Sequence, residues 1–299
     1  MKTVQRAFVP GSKWLYIKIY SGVKTAEELL FSDIQILVRN INKQQWIDKW
    51  FFIRYADPEP HLRFRFLLKE EQYASSILYI FCKKLNHLVC SNQVWKIQTD
   101  TYNRELERYG EFLIEEAESL FCVNSDCTLR LIQILAKTGN ENYRWMIALK
   151  MIDFMLSNFS LSLQEKQQIM EELSSTYKNE FGFTKYNAKQ FNTKFREHKV
   201  TIESVLNNTI KDEKFSALYR PLIKQSKQLI PIIEQIRIKI KKQKSNTIFL
   251  NSLLKSYIHM MLNRLLRSEC RAHELIMYDF MRRYYVSEMV KLKNINNIQ

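Results

Sequence analysis

Glycine and proline are scarce in this chain, with five of each in 299 residues. Sandwiches and barrels spend both residues at their turns, so the scarcity points to long helices with few loops. Cysteine is confined to positions 82, 90, 122, 127 and 270, and no two are spaced Cys-x-x-Cys. That excludes a disulfide scaffold and the usual zinc spacings, and predicts reduced, mostly buried thiols. No apolar run approaches the roughly 18 residues of a bilayer span. Met1-Lys2-Thr3-Val4-Gln5-Arg6 runs on to Pro10-Gly11 without an apolar segment, so no signal peptide and a cytoplasmic location are expected. The phosphate-cradling, zinc-protease and serine-hydrolase motifs GxGxxG, GxxxxGK[ST], HExxH and GxSxG are missing. RNA-recognition signatures and basic blocks interleaved with aromatics are missing too. Neither a cofactor nor a metal is expected.

What is present describes a folded protein with a substantial core: 46% of residues are hydrophobic and 13% aromatic. The formal net charge is +15. Such a balance suits an anionic partner (nucleic acid, a membrane surface or an acidic peptide). The lysines are scattered, however, and an A+T-rich genome would load them in the same way.

The most informative stretch is Trp50-Phe51-Phe52-Ile53-Arg54-Tyr55-Ala56-Asp57-Pro58-Glu59-Pro60-His61-Leu62-Arg63-Phe64-Arg65-Phe66. Two prolines forbid helix in its middle, so it reads as two strands and a turn. Period-two alternation sends His61, Arg63 and Arg65 to one sheet face and Leu62, Phe64 and Phe66 to a buried one. A closed hairpin is expected to add Arg54 to the polar face. Clustered guanidiniums repel one another unless an anion lies among them; the other reading is a solvated edge strand.

Taken in order, Trp14–Tyr20 alternates as a strand. Thr25 and Glu28 have capping-box spacing before an apolar helical stripe that ends near residue 42. Residues 72–90 repeat at helical spacing, and Val94–Thr99 reads as a strand. Thr101-Tyr102-Asn103-Arg104-Glu105-Leu106-Glu107-Arg108-Tyr109-Gly110 follows that strand, and Arg104, Glu105 and Arg108 can share a helical face. A helix carrying Phe112 to Leu120 comes next. Leu129–Ala136, Asn142–Asn158 and Gln164–Tyr177 are predicted helices, Asn179–Thr193 a loop, and Phe195–Asn207 a helix. A Lys/Ile-rich helix over residues 221–244 should kink or divide at Pro231. The last helix is expected at Phe249–Leu266, where His259, one turn before Asn263, shares a polar side with Ser252, Ser256 and Arg264. A histidine there is either a base oriented by its neighbours or a satisfied core residue.

Four blocks occur together: Lys13–Tyr20, the RY-x-DP-x-x-HLR-x-R run within 50–66, residues 99–110 ending in ExxRYG, and Ser256-Tyr257-Ile258-His259-Met260 with Asn263-Arg264-Leu265. The set resembles the small C-terminal domain of class I lanthipeptide dehydratases, found also as stand-alone thiopeptide-type bacteriocin biosynthesis proteins. The resemblance covers nearly the whole chain. It implies an α+β fold, with a largely antiparallel sheet from the N-terminal third packed with helices and a mainly helical remainder. Residues 1–299 then form one domain, with 1–125 containing the sheet and 126–299 helical. It implies β-elimination of glutamate from glutamylated Ser or Thr of a precursor peptide, giving dehydroalanine or dehydrobutyrine. Its catalytic positions fall on Arg63, Arg65, Glu105, Arg108 and His259. Arg54, His61, Tyr102, Arg104, Asn263 and Arg264 are expected to bind substrate. The implied partners are the precursor, leader and core, and a separate subunit that glutamylates it from glutamyl-tRNA; a homodimer is also admitted. Two alternatives stay open: a pyridine synthase joining two dehydroalanines by formal aza-[4+2] cycloaddition, and a non-catalytic peptide-binding subunit. Two positions depart from the family pattern, Glu111 after RYG and Arg267 after NRLL, where Gly is usual.

Overall fold

The computed structural model describes residues 4–243 and 247–296. Its chain order is β1 (Ala7–Phe8), β2 (Trp14–Ser21), α1 (Val23–Leu29), a π-helical turn (Leu30–Ile34), α2 (Gln35–Lys43), β3 (Ile47–Ala56), β4 (Pro60–Leu68), α3 (Tyr73–Cys90), β5 (Val94–Thr99) and β6 (Tyr102–Asn103). Helices follow: α4 (Leu106–Tyr109), α5 (Ile114–Thr138), α6 (Asn142–Asn158), α7 (Leu163–Glu180), α8 (Lys185–Leu206), α9 (Glu213–Ser216), α10 (Tyr219–Lys242), α11 (Thr247–Leu265) and α12 (Cys270–Asn296). The architecture is α+β. No helix among the described residues is long and apolar enough to cross a membrane.

The main sheet has strand order β3-β4-β2-β5, all antiparallel. Directly opposed residues share a face, so the pairings Trp50↔Phe66, Phe52↔Phe64, Leu15↔Phe66 and Ile17↔Phe64 make one apolar face. It is buried under Leu29, Leu30, Leu37, Ile41, Ile77, Phe81 and Leu85 of the first three helices. The pairings Ile53↔Arg63, Phe51↔Arg65, Lys18↔Arg63 and Tyr16↔Arg65 make the opposite, mixed face. Helices α4, α5 and α11 cover its apolar end through Tyr109, Phe121 and Tyr257. The same period-two rule therefore sorts residues to both faces, and it corrects the placement of Arg54. Arg54 pairs with Leu62, which turns its side chain away from Arg63 and Arg65.

Arg54 instead enters a buried ionic cluster. It contacts the Glu27 carboxylate, to which Arg144 also bonds at 2.6 Å and Arg267 lies at 3.3 Å. Burial opposes ionisation of Glu27, but the three guanidiniums outweigh it and hold its carboxyl below the usual range. The cluster ties α1, β3, α6 and the α11–α12 turn together.

Strand β3 is an edge, with outward backbone groups that need partners. Side chains of two helices supply them. Phe52 N–H donates to Ser125 Oγ at 3.2 Å and the Phe52 carbonyl accepts from Arg264 Nε at 2.7 Å. Arg54 N–H donates to Asn263 Oδ1 at 3.0 Å, while Asn263 Nδ2 donates back to the Arg54 carbonyl at 2.9 Å.

Other expectations change for local reasons. Helix α1 starts at Val23 after Gly22, without a side-chain cap, so the Thr25–Glu28 box does not form. The predicted loop at 179–193 holds the start of α8, where Thr184 and Asn187 form a capping box and Phe183 meets Phe191 edge-on. The segments 114–120 and 129–136 belong to one helix, α5, which runs through residue 125, while residues 112 and 113 precede it. Pro231 stays inside α10, on its exposed side, where water can reach the carbonyl left unbonded. Helix α11 is followed by α12, which packs along α7.

Replacing Glu27 with Ala would leave Arg54 buried without its anion and Arg144 with only its 3.3 Å contact to Glu141. A loss of about 3–5 kcal/mol in urea unfolding at pH 7 is expected. A carboxyl held low contributes stability present above its unfolded value and lost as pH falls through its folded value. The gap between wild type and variant should therefore narrow at acid pH, below the usual value of 4.5.

Candidate active site

Helix α11 presents His259 to a cleft of about 560 Å³ at the open end of the β3–β4 hairpin. Tyr55, His61, Asn263, Arg267, Cys270 and Arg271 are among its walls. His259 is placed there by its neighbours along the helix. Tyr257, Ile258, Met261 and Leu262 are buried, and Asn263 grips β3 one turn later. The imidazole Nδ1 lies 2.8 Å from Glu274 Oε1 of α12. Among the described residues no hydrogen bond uses Nε2.

His61 links the cleft to the arginine face. Its Nδ1 meets the Glu59 carbonyl at 2.8 Å, and its Nε2 accepts from Arg63 Nε at 2.8 Å. Two such bonds require a neutral imidazole with its proton on Nδ1. Consistently, burial pushes the His61 pKa below 6.5, and Arg63 and Lys18 push the same way. The Arg63 guanidinium lies 3.4 Å from the centre of the Tyr55 ring.

Arg65 is 9% exposed, and its Nε is buried without a hydrogen-bond partner. Among the described residues no carboxylate pairs with it. It sits instead among the rings of Tyr16, Tyr102 and Phe51, at 4.5, 4.9 and 5.3 Å from their centres. Aromatic faces offset about 0.5–2 kcal/mol per contact, less than burying a guanidinium costs. Arg65 is therefore a buried cation with room in its electrostatics for an anion. Arg63 and Arg65 both act on the Tyr16 phenol, whose pKa burial nonetheless raises.

Glu105 and Arg108 pair with each other at 3.2 Å on the surface of α4. That helix is joined to α11 by Tyr109, stacked on Tyr257 at 5.8 Å. Arg63, Arg65, Glu105 and Arg108 do not line the His259 cleft itself. Arg104 does not share the α4 face; it precedes that helix and is buried against Glu118 at 2.7 Å, as is the Tyr102 hydroxyl at 3.0 Å. Arg264 is fully buried, not on the polar side of α11, and bonds the carbonyls of Phe52 and Met260. Asn263 lines the cleft while holding β3.

Sequence reasoning missed Glu274 and Arg271, which lie on a helix it did not place. It met Arg267 only as a departure from a pattern. The sulfur of Cys270, the imidazole of His259 and the carboxylate of Glu274 lie within 4.8 Å of one another. Burial pushes the Cys270 thiol far up, so it stays protonated, and the arginines nearby disfavour a cation.

Of the residues that the four sequence blocks supply, Arg54, His61, His259 and Asn263 meet around the cleft, while Arg63, Arg65, Glu105 and Arg108 lie outside its walls. A family model described as "Lantibiotic biosynthesis dehydratase C-term" matches residues 14–285. The chain belongs to that family. It is 29% identical over 289 residues to the nisin biosynthesis protein NisB of Lactococcus lactis subsp. lactis, covering 95% of this chain but 26% of NisB. The chain therefore spans about a quarter of that relative's length. Its fold matches the tRNA-dependent lantibiotic dehydratase MibB of Microbispora sp. 107891 with a TM-score of 0.72 at 17% identity, over 96% of this chain and 29% of MibB. It also matches the pyridine synthase TbtD from thiomuracin biosynthesis with a TM-score of 0.66 at 10% identity, over 94% of this chain and 100% of TbtD. At these identities both structural likenesses are of fold alone.

His61 should titrate by NMR below 6.5. Acidification through that midpoint should release the Arg63 side chain, because a protonated Nε2 cannot accept from it. A midpoint at or above 6.5 would contradict the assigned bonds.

Proposed function

We propose that this protein catalyses the elimination step of peptide dehydration. It takes glutamylated Ser or Thr of a ribosomal precursor peptide to dehydroalanine or dehydrobutyrine. The observation that carries the reading is the buried guanidinium of Arg65, without a carboxylate among the described residues, on the sheet face it shares with Arg63; Arg63 bonds His61 in the wall of a cleft that also holds His259, whose Nε2 has no hydrogen bond among the described residues. Family membership supports it.

In the proposed chemistry His259 Nε2 takes the Cα proton of the glutamylated residue. The Cα–H electron pair forms the Cα=Cβ bond, and the Cβ–O bond breaks to release glutamate as a carboxylate. Arg63, Arg65 and Arg108 bind glutamate carboxylates and offset charge growing on the neighbouring amide oxygen. Glu105 orients Arg108 through their ion pair. The glutamyl group would come from a separate subunit that uses glutamyl-tRNA, which confines the pair to the cytoplasm. Tyr55, His61, Asn263 and Arg267 would line the path of the peptide. One observation favours a second reading, the [4+2] pyridine synthase: the fold match spans the whole of such an enzyme. That reaction has no glutamate to bind and leaves the arginine face without a purpose.

Incubation with a synthetic glutamylated peptide should release glutamate and produce the mass of the dehydrated product. His259→Ala should leave the glutamylated peptide intact; full dehydration by that variant removes His259 from the mechanism. Arg65→Ala should slow elimination by about 10²–10³. An unchanged rate would remove Arg65 from the mechanism, whereas no glutamate release by the wild-type protein would favour a non-catalytic peptide-binding subunit. Conversion of a bis-dehydroalanine peptide to a pyridine, with no glutamate release from the first substrate, would establish the cycloaddition.

A further inference from the structure

Among the described residues four acidic side chains are almost wholly buried: Glu27, Glu118, Glu274 and Asp279. Three have the partners that buried carboxylates need. Glu27 holds three arginines, Glu118 holds Arg104, and Asp279 holds Lys178, Arg282 and Arg283. Glu274 differs. At 0% exposure its only ion-pair partner among the described residues is the His259 imidazole. Its other contacts are hydroxyls, with Tyr177 donating to Oε2 at 2.8 Å and Tyr278 to Oε1 at 3.2 Å. Burial and the carboxylate push both phenols far above the usual range, so both remain donors. Arg271 pairs with Glu180, bonds the Tyr177 hydroxyl at 3.3 Å and acts on Glu274 through space without a hydrogen bond or ion-pair contact to it.

From this arrangement we propose that Glu274 is the positioning residue of the elimination centre: it fixes His259 as the Nδ1–H tautomer and balances the imidazolium formed when Nε2 takes a proton. The carboxylate has only acceptor atoms, so the contact at 2.8 Å requires the proton on Nδ1. That leaves the lone pair on Nε2, the nitrogen with no other bond among the described residues. Among the described residues no guanidinium or ammonium contacts Glu274, so its carboxylate faces the imidazole without a competing cation in contact. Tyr177 and Tyr278 hold the carboxylate in place from two helices. The orientation stands on geometry alone; its effect on rate rests on the elimination reading above.

The groups facing His259 come from every neighbouring element. Its own helix supplies Lys255, paired with Glu172 of α7. The hairpin supplies Arg54 and neutral His61, and the turn before α12 supplies Arg267 and Glu269. Helix α12 supplies Cys270, Arg271, Glu274 and Tyr278, and α7 supplies Tyr177. Of these only Glu274 contacts the imidazole through a hydrogen bond.

Two measurements test the proposal. In the unmodified protein, imidazole ¹⁵N shifts of His259 at alkaline pH should show the proton on Nδ1. A proton on Nε2 overturns the proposal without any variant. Glu274→Gln keeps an acceptor and the packing but removes the charge. Its elimination rate on a synthetic glutamylated peptide should fall by about 10–100-fold. In the variant the ¹⁵N shifts should lose the strict preference for a proton on Nδ1, because the amide can also donate to that nitrogen. A lower rate with the tautomer unchanged reduces Glu274 to a packing role and overturns the proposal. If the tautomer is as expected yet His259→Ala still eliminates glutamate, the orientation stands and the base role falls.

Discussion

The grip of Asn263 on the backbone of Arg54 is the interaction on which the site depends. A sheet edge exposes unpaired N–H and C=O groups, and each one buried without a partner costs on the order of 1–3 kcal/mol. Strand β3 lies at such an edge and is covered by helices. Asn263 answers both groups of Arg54, and Arg264 with Ser125 answers those of Phe52. This hydrogen bonding fixes the rotation and height of α11 against the sheet. His259, one turn earlier, is thereby set over the hairpin end. The same residues that make the N-R signature recognisable are thus latches between a helix and a strand edge.

Charge is divided between two roles on either side of one strand. On the α1 side, Arg54, Arg144 and Arg267 converge on Glu27, and the cluster is neutralised enough to be buried. On the other side, Arg63 bonds a neutral histidine and Arg65 is enclosed by aromatic rings. A guanidinium with a carboxylate partner is structural by its energetics; one buried without such a partner is kept at a cost. The contrast within a single hairpin separates arginines that hold the fold from arginines with binding capacity to spare.

Much of this fold was legible in short-range pattern. Alternation in 61–66 sorted Leu62, Phe64 and Phe66 from Arg63 and Arg65, because strand geometry has a period of two whatever lies around it. Arg54 defied the same argument because its face depends on register across the turn, which pairs it with Leu62. The loop expected at 179–193 failed because the polar run that suggested it contains a Thr184–Asn187 cap, which starts a helix. Arg104 and Arg264 looked like site residues by composition; burial against Glu118 and against main-chain carbonyls assigns them to scaffolding.

The sequence by itself determined the alternating faces of the hairpin, the helical character of the chain after the sheet, and the family whose blocks it carries. These depend on spacing between near neighbours, and spacing is written in the chain. The tertiary structure alone decided which charges meet. Glu274 reaches His259 from a different helix, Glu27 collects arginines from β3, α6 and the turn after α11, and His61 bridges Arg63 to the cleft. Electrostatic partnership depends on distance through space and on burial, and neither has a period that a linear reading can detect.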